Sequence, residues 1–370
     1  MNRMNAFLVV PAVRWALAGV LVVFLAILPM LAITIPGVFP GPTYTPGTLQ
    51  LLAFSMLIAA LALSYHLIFG VAGLLSFGHA LYFVIGVYGL GIALRHFGLE
   101  LLPAIVLTFA VGLIIAAAVG SLSLRVTGIS FAMVTLAFAQ AGEILVQKDP
   151  HGWTGGNDSL GYDYHHVPAI FVGVFNTKNL YWLALAYAVV VFSIIAWTVR
   201  SSPGHVLQAI RENERRVEVL GLRTRRYKLL AFVLGSFLAT AGGVIYMLAF
   251  NGASPGITTP DFTLMLLVMV VLGGTGTLWG PILGGALYWY ADQRLVVLGG
   301  SHAVQSLPSV LRTPLSQPLF VLGVLFILVV VFLPGGIVGL GAQGRAGRRG
   351  LRRLEDSLRR SPGLDPGEGM

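Results

Sequence analysis

The stretch SPGHVLQAIRENERRVEVLGLRTRRYK, Ser202 to Lys228, decides how the rest of this chain is read. It gathers Arg211, Arg215, Arg216, Arg223, Arg225, Arg226 and Lys228, with Arg200 just ahead, around Glu212, Glu214 and Glu218. Elsewhere charge is scarce: 10% of the 370 residues are charged, 56% are hydrophobic, and mean hydropathy is +0.86. Apolar runs long enough to cross a bilayer flank the charged stretch on both sides. This composition belongs to membrane proteins.

Of the 23 basic residues, eight lie in 200–228 and seven in 345–360. Basic clusters beside apolar spans mark the cytoplasmic side of a membrane. The net charge of +9 is therefore a topology signal and not a nucleic-acid surface. The chain contains no cysteine, which excludes disulfides, thiolate metal sites and cysteine nucleophiles. The run from Trp15 to Ile35 is longer than the apolar core of a signal peptide and reads as a retained first span.

Apolar runs recur at 15–35, 49–69, 73–94, 103–124, 129–147, 180–199, 229–250, 262–278, 281–298 and 318–336. Ten spans put both termini and the 200–228 loop in the cytoplasm, with Arg125 inside and the loop 148–179 outside. Eight spans result if 49–94 and 262–298 are not double crossings. The second of these is interrupted by Gly273-Gly274-Thr275-Gly276 and by Gly280-Pro281. The expected architecture is all-α, a polytopic bundle with a cytoplasmic N-terminus (1–14), a membrane domain (15–340) and a basic, disordered cytoplasmic tail (341–370). Among the 46 glycines, Gly86, Gly89, Gly91, Gly242, Gly243, Gly284 and Gly285 are expected at close helix crossings, where small residues let backbones approach.

Within the charged loop, Ser202 reads as an N-cap, with Pro203 in the first helical position. Val206, Ile210, Asn213, Val217 and Leu220 recur at helical spacing, and Gly221 stands where a helix ends in a left-handed residue. The spacing predicts a capped amphipathic helix over 203–221. Such a helix can rest on anionic headgroups, serve as a connector, or insert into a partner's groove. Its apolar face lacks the aromatics of an interfacial helix, which favours a partner.

Polar residues inside spans are costly and mark function or tight structure. His79 is expected within the third span facing Ser76, either as a hydrogen-bonded structural histidine or in a gate. Gln140 and Glu143 read as lying near the outer end of the fifth span, where they can reach the interface. The external segment Thr154, Gly155, Gly156, Asn157 and Asp158 offers backbone N–H groups to a zwitterion or a docking lobe, or forms an ordinary Gly-Asn turn. His165-His166 beside Asp163 lacks a further ligand and reads as a solvated loop, not a metal site.

The segments Ala209–Arg216 (AIRENERR), Val217–Gly221 (VEVLG) and Arg226–Phe232 (RYKLLAF) resemble the cytoplasmic loop of branched-chain amino acid ABC importer permeases, most closely their M-type subunit. In the same order, Gly73–Ala80 (GLLSFGHA), Gly128–Ala137 (GISFAMVTLA), Thr154-Gly155-Gly156, Gly273–Pro281 (GGTGTLWGP) and Phe332–Gly336 (FLPGG) extend the resemblance over most of 50–340. The resemblance implies an ABC importer permease fold in a bacterial cytoplasmic membrane. It makes 203–221 a coupling helix seated on one of two cytoplasmic ATPase subunits, through Ala209, Arg211, Glu212, Asn213, Glu214, Glu218 and Gly221. It also implies a homologous second permease, a periplasmic or extracellular substrate-binding protein, and ATP with Mg held by the ATPases and not by this chain.

The three lysines follow Gln147, Thr177 and Tyr227, so no Gly-Lys-Ser/Thr phosphate loop occurs here. Transporter substrates sit at broken helices near the membrane midplane, which points to Ser76, His79, Thr135, Gly273, Gly274 and Gly276 as path residues. The cargo implied is a branched-chain or related hydrophobic amino acid. Urea, short amides and aromatic acids are the alternatives within the same permease type. A stand-alone secondary transporter or channel would need a coupling acid at the centre of a span, and the runs hold none. An embedded enzyme would need a paired nucleophile and base, which is equally lacking.

Overall fold

The computed structural model describes residues 11–35, 41–162, 164–173, 176–250, 252–300, 312, 314–333 and 335–339, with side chains from Ala18 onward. Arg3, Asp163 and the 341–370 tail lie outside the described residues. The described residues form helices α1 (Pro11–Ile27), α2 (Pro46–His66, continued by a wide π turn Leu67–Val71), α3 (His79–Arg95), α4 (Leu101–Ser123), α5 (Ile129–Lys148) and α6 (Thr177–Arg200). After these come α7 (Ser202–Val219), α8 (Thr224–Phe250), α9 (Pro260–Gly273), α10 (Trp279–Gly299) and α11 (Pro318–Phe332). No strand occurs among the described residues; one isolated bridge joins Leu160 to Ala253. Apart from α7, each helix overlaps one of the ten apolar runs, although α1 stops at Ile27 and α3 starts only at His79. Six of the helical segments are long and apolar enough to cross a membrane on length and composition alone, while α1, α3 and α9 are shorter apolar helices. The chain is a multi-pass helical membrane protein.

Helix α2 is the axis of the bundle. It is apolar on every face, 89% of its apolar stretch is buried, and α6, α8, α9 and α10 pack around it. Helix α11 is just as apolar all round, yet only 12% of its apolar stretch is buried. Lipid is as apolar as a protein core, so an all-apolar helix suits either place.

Close crossings fall at the expected glycines. A methyl group on Gly86 would sit 2.1 Å from the Thr240 carbonyl, and one on Gly243 2.1 Å from the Phe83 carbonyl, so α3 and α8 touch backbone to backbone. Gly284 lies equally tight against Met269 of α9, and Gly285 against Ala59 of α2.

Both segments with two possible span counts fold as pairs of helices. Met269 meets Gly284 while Gly273 meets Gly280, so α9 and α10 form an antiparallel hairpin. Between α2 and α3, Ser64 bonds His79 and Tyr65 bonds Ser76, so here too the chain turns back on itself. The third apolar run is not one helix from residue 73: residues 72–78 are non-helical and α3 begins at His79. Non-helical backbone inside a membrane bundle is tolerated only where protein or a cavity surrounds it. Here Leu74, Ser76 and Gly78 are buried.

One end of the bundle gathers α7, the π turn of α2, the 124–128 linker and the 273–278 turn. Gly335 and Gly336, at the end of α11, lie against Gly274 at that same end. The loop 148–179 lies at the other end, where Leu160 pairs with Ala253 and Tyr162 donates to the Leu248 carbonyl.

Candidate functional site

The charged loop folds as a helix that differs from the expected one in three ways. The N-cap is Ser201, whose hydroxyl accepts from the Gly204 N–H at 3.4 Å, and Pro203 sits one position deeper than expected. Gly204 fits under the end of α6 because a methyl group there would meet the Thr198 carbonyl at 2.1 Å. Asn213 does not belong to the buried stripe. Its backbone is extended (φ −159°, ψ 97°), and its side-chain oxygen accepts from the Arg216 N–H at 3.0 Å, so it caps a second short turn after a kink. The buried face is therefore Gly204, Leu207, Ile210 and Val217, while Leu220 is 74% and Val219 87% exposed. Gly221 takes the left-handed backbone expected of it (φ 83°).

Three side-chain ties hold α7 to the bundle. Arg211 donates to the Gly70 carbonyl at the end of α2's π turn, where a cation suits the carbonyl-rich helix end. Glu214 accepts from Lys228 of α8 at 2.6 Å, and Glu218 accepts from the Thr224 hydroxyl at 3.1 Å. Arg225, just beyond, donates to the Ser121 carbonyl at the end of α4. Of the residues expected to dock, Arg211, Glu214 and Glu218 thus hold the helix in place from within, whereas Ala209, Glu212 and Gly221 remain on the open surface. Two cavities of about 330 and 470 Å³ lie on either side of Arg211 and Glu212.

The second site is the 72–78 break. Here the structure brings Ser76, His79 and Thr135 together and adds Ser64, Tyr65 and Thr263. The Thr135 hydroxyl of α5 accepts from the Phe77 N–H (3.1 Å), and the Thr263 hydroxyl of α9 accepts from the Ala80 N–H (2.9 Å). Ser76 accepts from the Gly78 N–H (3.3 Å), and His79 Nε2 lies 2.9 Å from the Ser64 hydroxyl. The free N–H groups at the start of α3 are thereby met by hydroxyls from two other helices. Ser76, His79 and Thr263 are wholly buried, so the cluster is closed to solvent in this conformation.

Gly273, Gly274 and Gly276 are not part of that cluster. They form the α9–α10 turn, in which Thr275, Gly276 and Thr277 line the larger cavity beside Gln208, Arg211 and Glu212. The turn neighbours the charged helix and is not a break in the middle of a span.

At the opposite end, the Asp149 carboxylate accepts from the N–H groups of Thr154 (2.9 Å) and Gly155 (3.0 Å), and the Thr154 hydroxyl donates to the Val146 carbonyl. Donation from Thr154 above all, then from Trp153 and Gly155, holds the Asp149 carboxyl below its ordinary range. The Gly155 N–H is therefore already engaged by the chain itself. Asn157 and Asp158 stay exposed on the turn, and the Asp158 N–H donates to the Gly155 carbonyl. Nearby His166 lies 4.0 Å from Glu100, and no cluster able to hold a metal occurs among the described residues.

A sequence profile described as branched-chain amino acid transport system, permease component, matches residues 47–330. The chain belongs to this family. It is 28% identical over 266 residues to the high-affinity branched-chain amino acid transport system permease protein LivM of Escherichia coli, a match covering 65% of this chain and 62% of LivM. It is 24% identical over 302 residues to permease protein BraD of Pseudomonas aeruginosa (76% of this chain, 91% of BraD). It is 26% identical over 304 residues to permease protein LivH of Escherichia coli (76% of this chain, 91% of LivH). The match thus spans less than two thirds of LivM's length. No solved structure matches the chain. The matched range begins at the start of α2 and ends inside α11, so the charged helix, the break and the glycine turn all fall within the part shared with transport permeases.

Sequence reading missed Thr263, Ser64 and Tyr65 at the break, Lys228 and Thr224 beneath the charged helix, and Asp149 at the outer turn. Asp149 carried a usable signal, since an Asp directly after a helix and ahead of a Thr-Gly-Gly turn is a natural acceptor for turn N–H groups. The partners at the break carried none, because Thr263 lies 183 residues from the N–H it meets.

Proposed function

We propose that this chain is one of two permease subunits of an ABC importer for branched-chain or related hydrophobic amino acids in a bacterial cytoplasmic membrane. In this reading α7 is the coupling helix, both termini are cytoplasmic, and an external binding protein delivers the substrate. The second permease is a homologue, as the likeness of one chain to both LivM and LivH suggests. ATP and Mg belong to two ATPase subunits seated beneath α7.

The observation that carries the reading is the division of labour along α7. Arg211, Glu214 and Glu218 fasten the helix to α2 and α8, while Val219 and Leu220 stand 87% and 74% exposed at its tip. Apolar side chains that project from a charged surface are typical of a protein contact. A helix fastened in this way passes a push from below to α2, the bundle's axis, through Arg211, and to α8 through Lys228. The substrate crosses unchanged, so the work of this chain is to change conformation and not to make or break bonds.

Replacing Glu212 with Ala together with Gly221→Val tests this. The expected result is loss of the co-purifying ATPase and of leucine uptake, with the chain still inserted in the membrane. Uptake that survives the double change removes α7 from the coupling role.

A further inference from the structure

Helices α4 and α5 are equally uncovered: 28% of the apolar stretch of each is buried. Their open faces differ in chemistry. Every exposed side chain of α4, from Leu102 through Val106 and Ile114 to Leu122, is apolar, as a lipid-facing helix requires. The open side of α5 mixes polar with apolar groups: Met133, Ala137, Gln140, Ile144 and Gln147 at helical spacings of 4, 3, 4 and 3, with exposed Ala141 and Leu145 and half-buried Glu143 beside them.

Depth makes Gln140 decisive. Gln140 is the twelfth of the 20 residues of α5 (Ile129–Lys148), nearer its middle than the expected outer end. At 1.5 Å per residue it lies about 12 Å from Lys148 and about 16 Å from Ile129. A hydrocarbon core is roughly 30 Å thick, so an α5 that crosses it holds Gln140 near the middle. Glutamine is too short to reach the interface as lysine and arginine do. Its amide makes no hydrogen bond among the described residues, and an unbonded amide does not face lipid. Farther out, Gln147 donates to Glu143 at 3.0 Å, so on the outer half of α5 polar groups alternate with exposed Ile144 and Leu145, while inward of Gln140 the face carries small Ala137 and Met133.

We propose that this face of α5 lines the substrate's route, with Gln140 as the hydrogen-bonding group halfway along it. The proposal rests on the permease reading and sharpens it. The solute it suits is small, with a charged or amide end for Glu143 and Gln140 and an aliphatic body for Met133 and Ala137.

The natural absence of cysteine allows single thiols to be placed without background. Ala137→Cys and Gln140→Cys on α5, with Val106→Cys and Ile114→Cys on α4 as controls, are assembled with the second permease, the ATPases and the binding protein in membrane vesicles. They are then treated with a charged, water-soluble thiosulfonate. The α5 thiols are expected to react at least an order of magnitude faster than the α4 thiols, and leucine with ATP should slow them several-fold. Gln140→Leu, a change that favours membrane insertion, should cut leucine uptake by an order of magnitude, with Gln140→Asn recovering part of it. A Gln140→Cys thiol that reacts no faster than the α4 controls overturns the proposal, as does a Gln140→Leu chain that transports like the unaltered one. Failure of the unaltered chain to take up leucine with ATP would instead count against the permease reading, and the labelling contrast is read without it.

Discussion

The two places where this bundle interrupts its helices, residues 72–78 and residues 273–278, answer one problem with opposite means. Both carry backbone groups that need partners, the first buried within the bundle and the second at its end beside α7. At 72–78 and the start of α3, Leu74 and Gly78 are served nearby by the Ile68 carbonyl and the Ser76 hydroxyl, while the Phe77 and Ala80 N–H groups are met from afar by the Thr135 and Thr263 hydroxyls. At 273–278 the solution is local. The Thr277 hydroxyl accepts from the Gly280 N–H three residues on, and Gly273, Gly280 and Gly284 bring two backbones into contact. The first interruption depends on hydrogen bonds between helices, the second on the lack of side chains.

This contrast is most easily broken at the hairpin. Gly284→Ala places a methyl group 2.0 Å from the Met269 carbonyl, a clash with backbone that no rotamer relieves. The expected outcome is loss of folded protein, read as the monodisperse fraction after detergent extraction. A normal yield would mean that the two helices are not in backbone contact.

A smaller effect is expected at the break. Thr263→Val keeps the shape but leaves the buried Ala80 N–H without an acceptor, at a cost of about 1–3 kcal/mol. The unfolding midpoint should fall while the chain still inserts, and Thr263→Ser should restore most of it. If Val is as stable as Thr, that bond does not hold the break.

The same contrast shows why only part of the molecule was legible in its sequence. The ten apolar runs, the charged helix and the glycine crossings are local or periodic signals, and each is found in the structure, with shifted ends for the first and third runs and a shifted cap for the charged helix. The Thr277 cap is of this kind too, because donor and acceptor are neighbours in the chain. Thr263 and Thr135 were legible only as hydroxyls inside apolar runs, with nothing to say which N–H they serve. The kink at Asn213 was hidden because the residue fits the spacing of the stripe while its side chain prefers to cap. Gln140 is the twelfth of the 20 residues of α5, nearer the middle than the expected outer end, which counting along the run 129–147 already shows. The central α2 and peripheral α11 look alike in sequence because lipid and core select the same residues.

The smallest expected effect is at the outer turn, where a carboxylate does locally what hydroxyls do at the break. Asp149→Ala should raise hydrogen exchange at the Thr154 and Gly155 amides and leave the unfolding midpoint nearly unchanged. In the unaltered chain the Asp149 carboxyl lies below its ordinary range, so the turn's protection is complete above about pH 4, the usual aspartate value. It is lost only as pH falls through the lowered one. Protection that ignores both the substitution and acid would remove Asp149 from the turn.

The central claim is that this chain moves a solute only when a separate ATPase drives it through α7. Leucine uptake into proteoliposomes containing the chain and its second permease, with external binding protein and with the ATPase subunits and internal ATP either supplied or withheld, tests it directly. The account predicts accumulation only when ATPases and ATP are both present, and its loss when Glu212 and Gly221 are replaced. Accumulation by the chain without the ATPases, driven by an ion gradient, would contradict it.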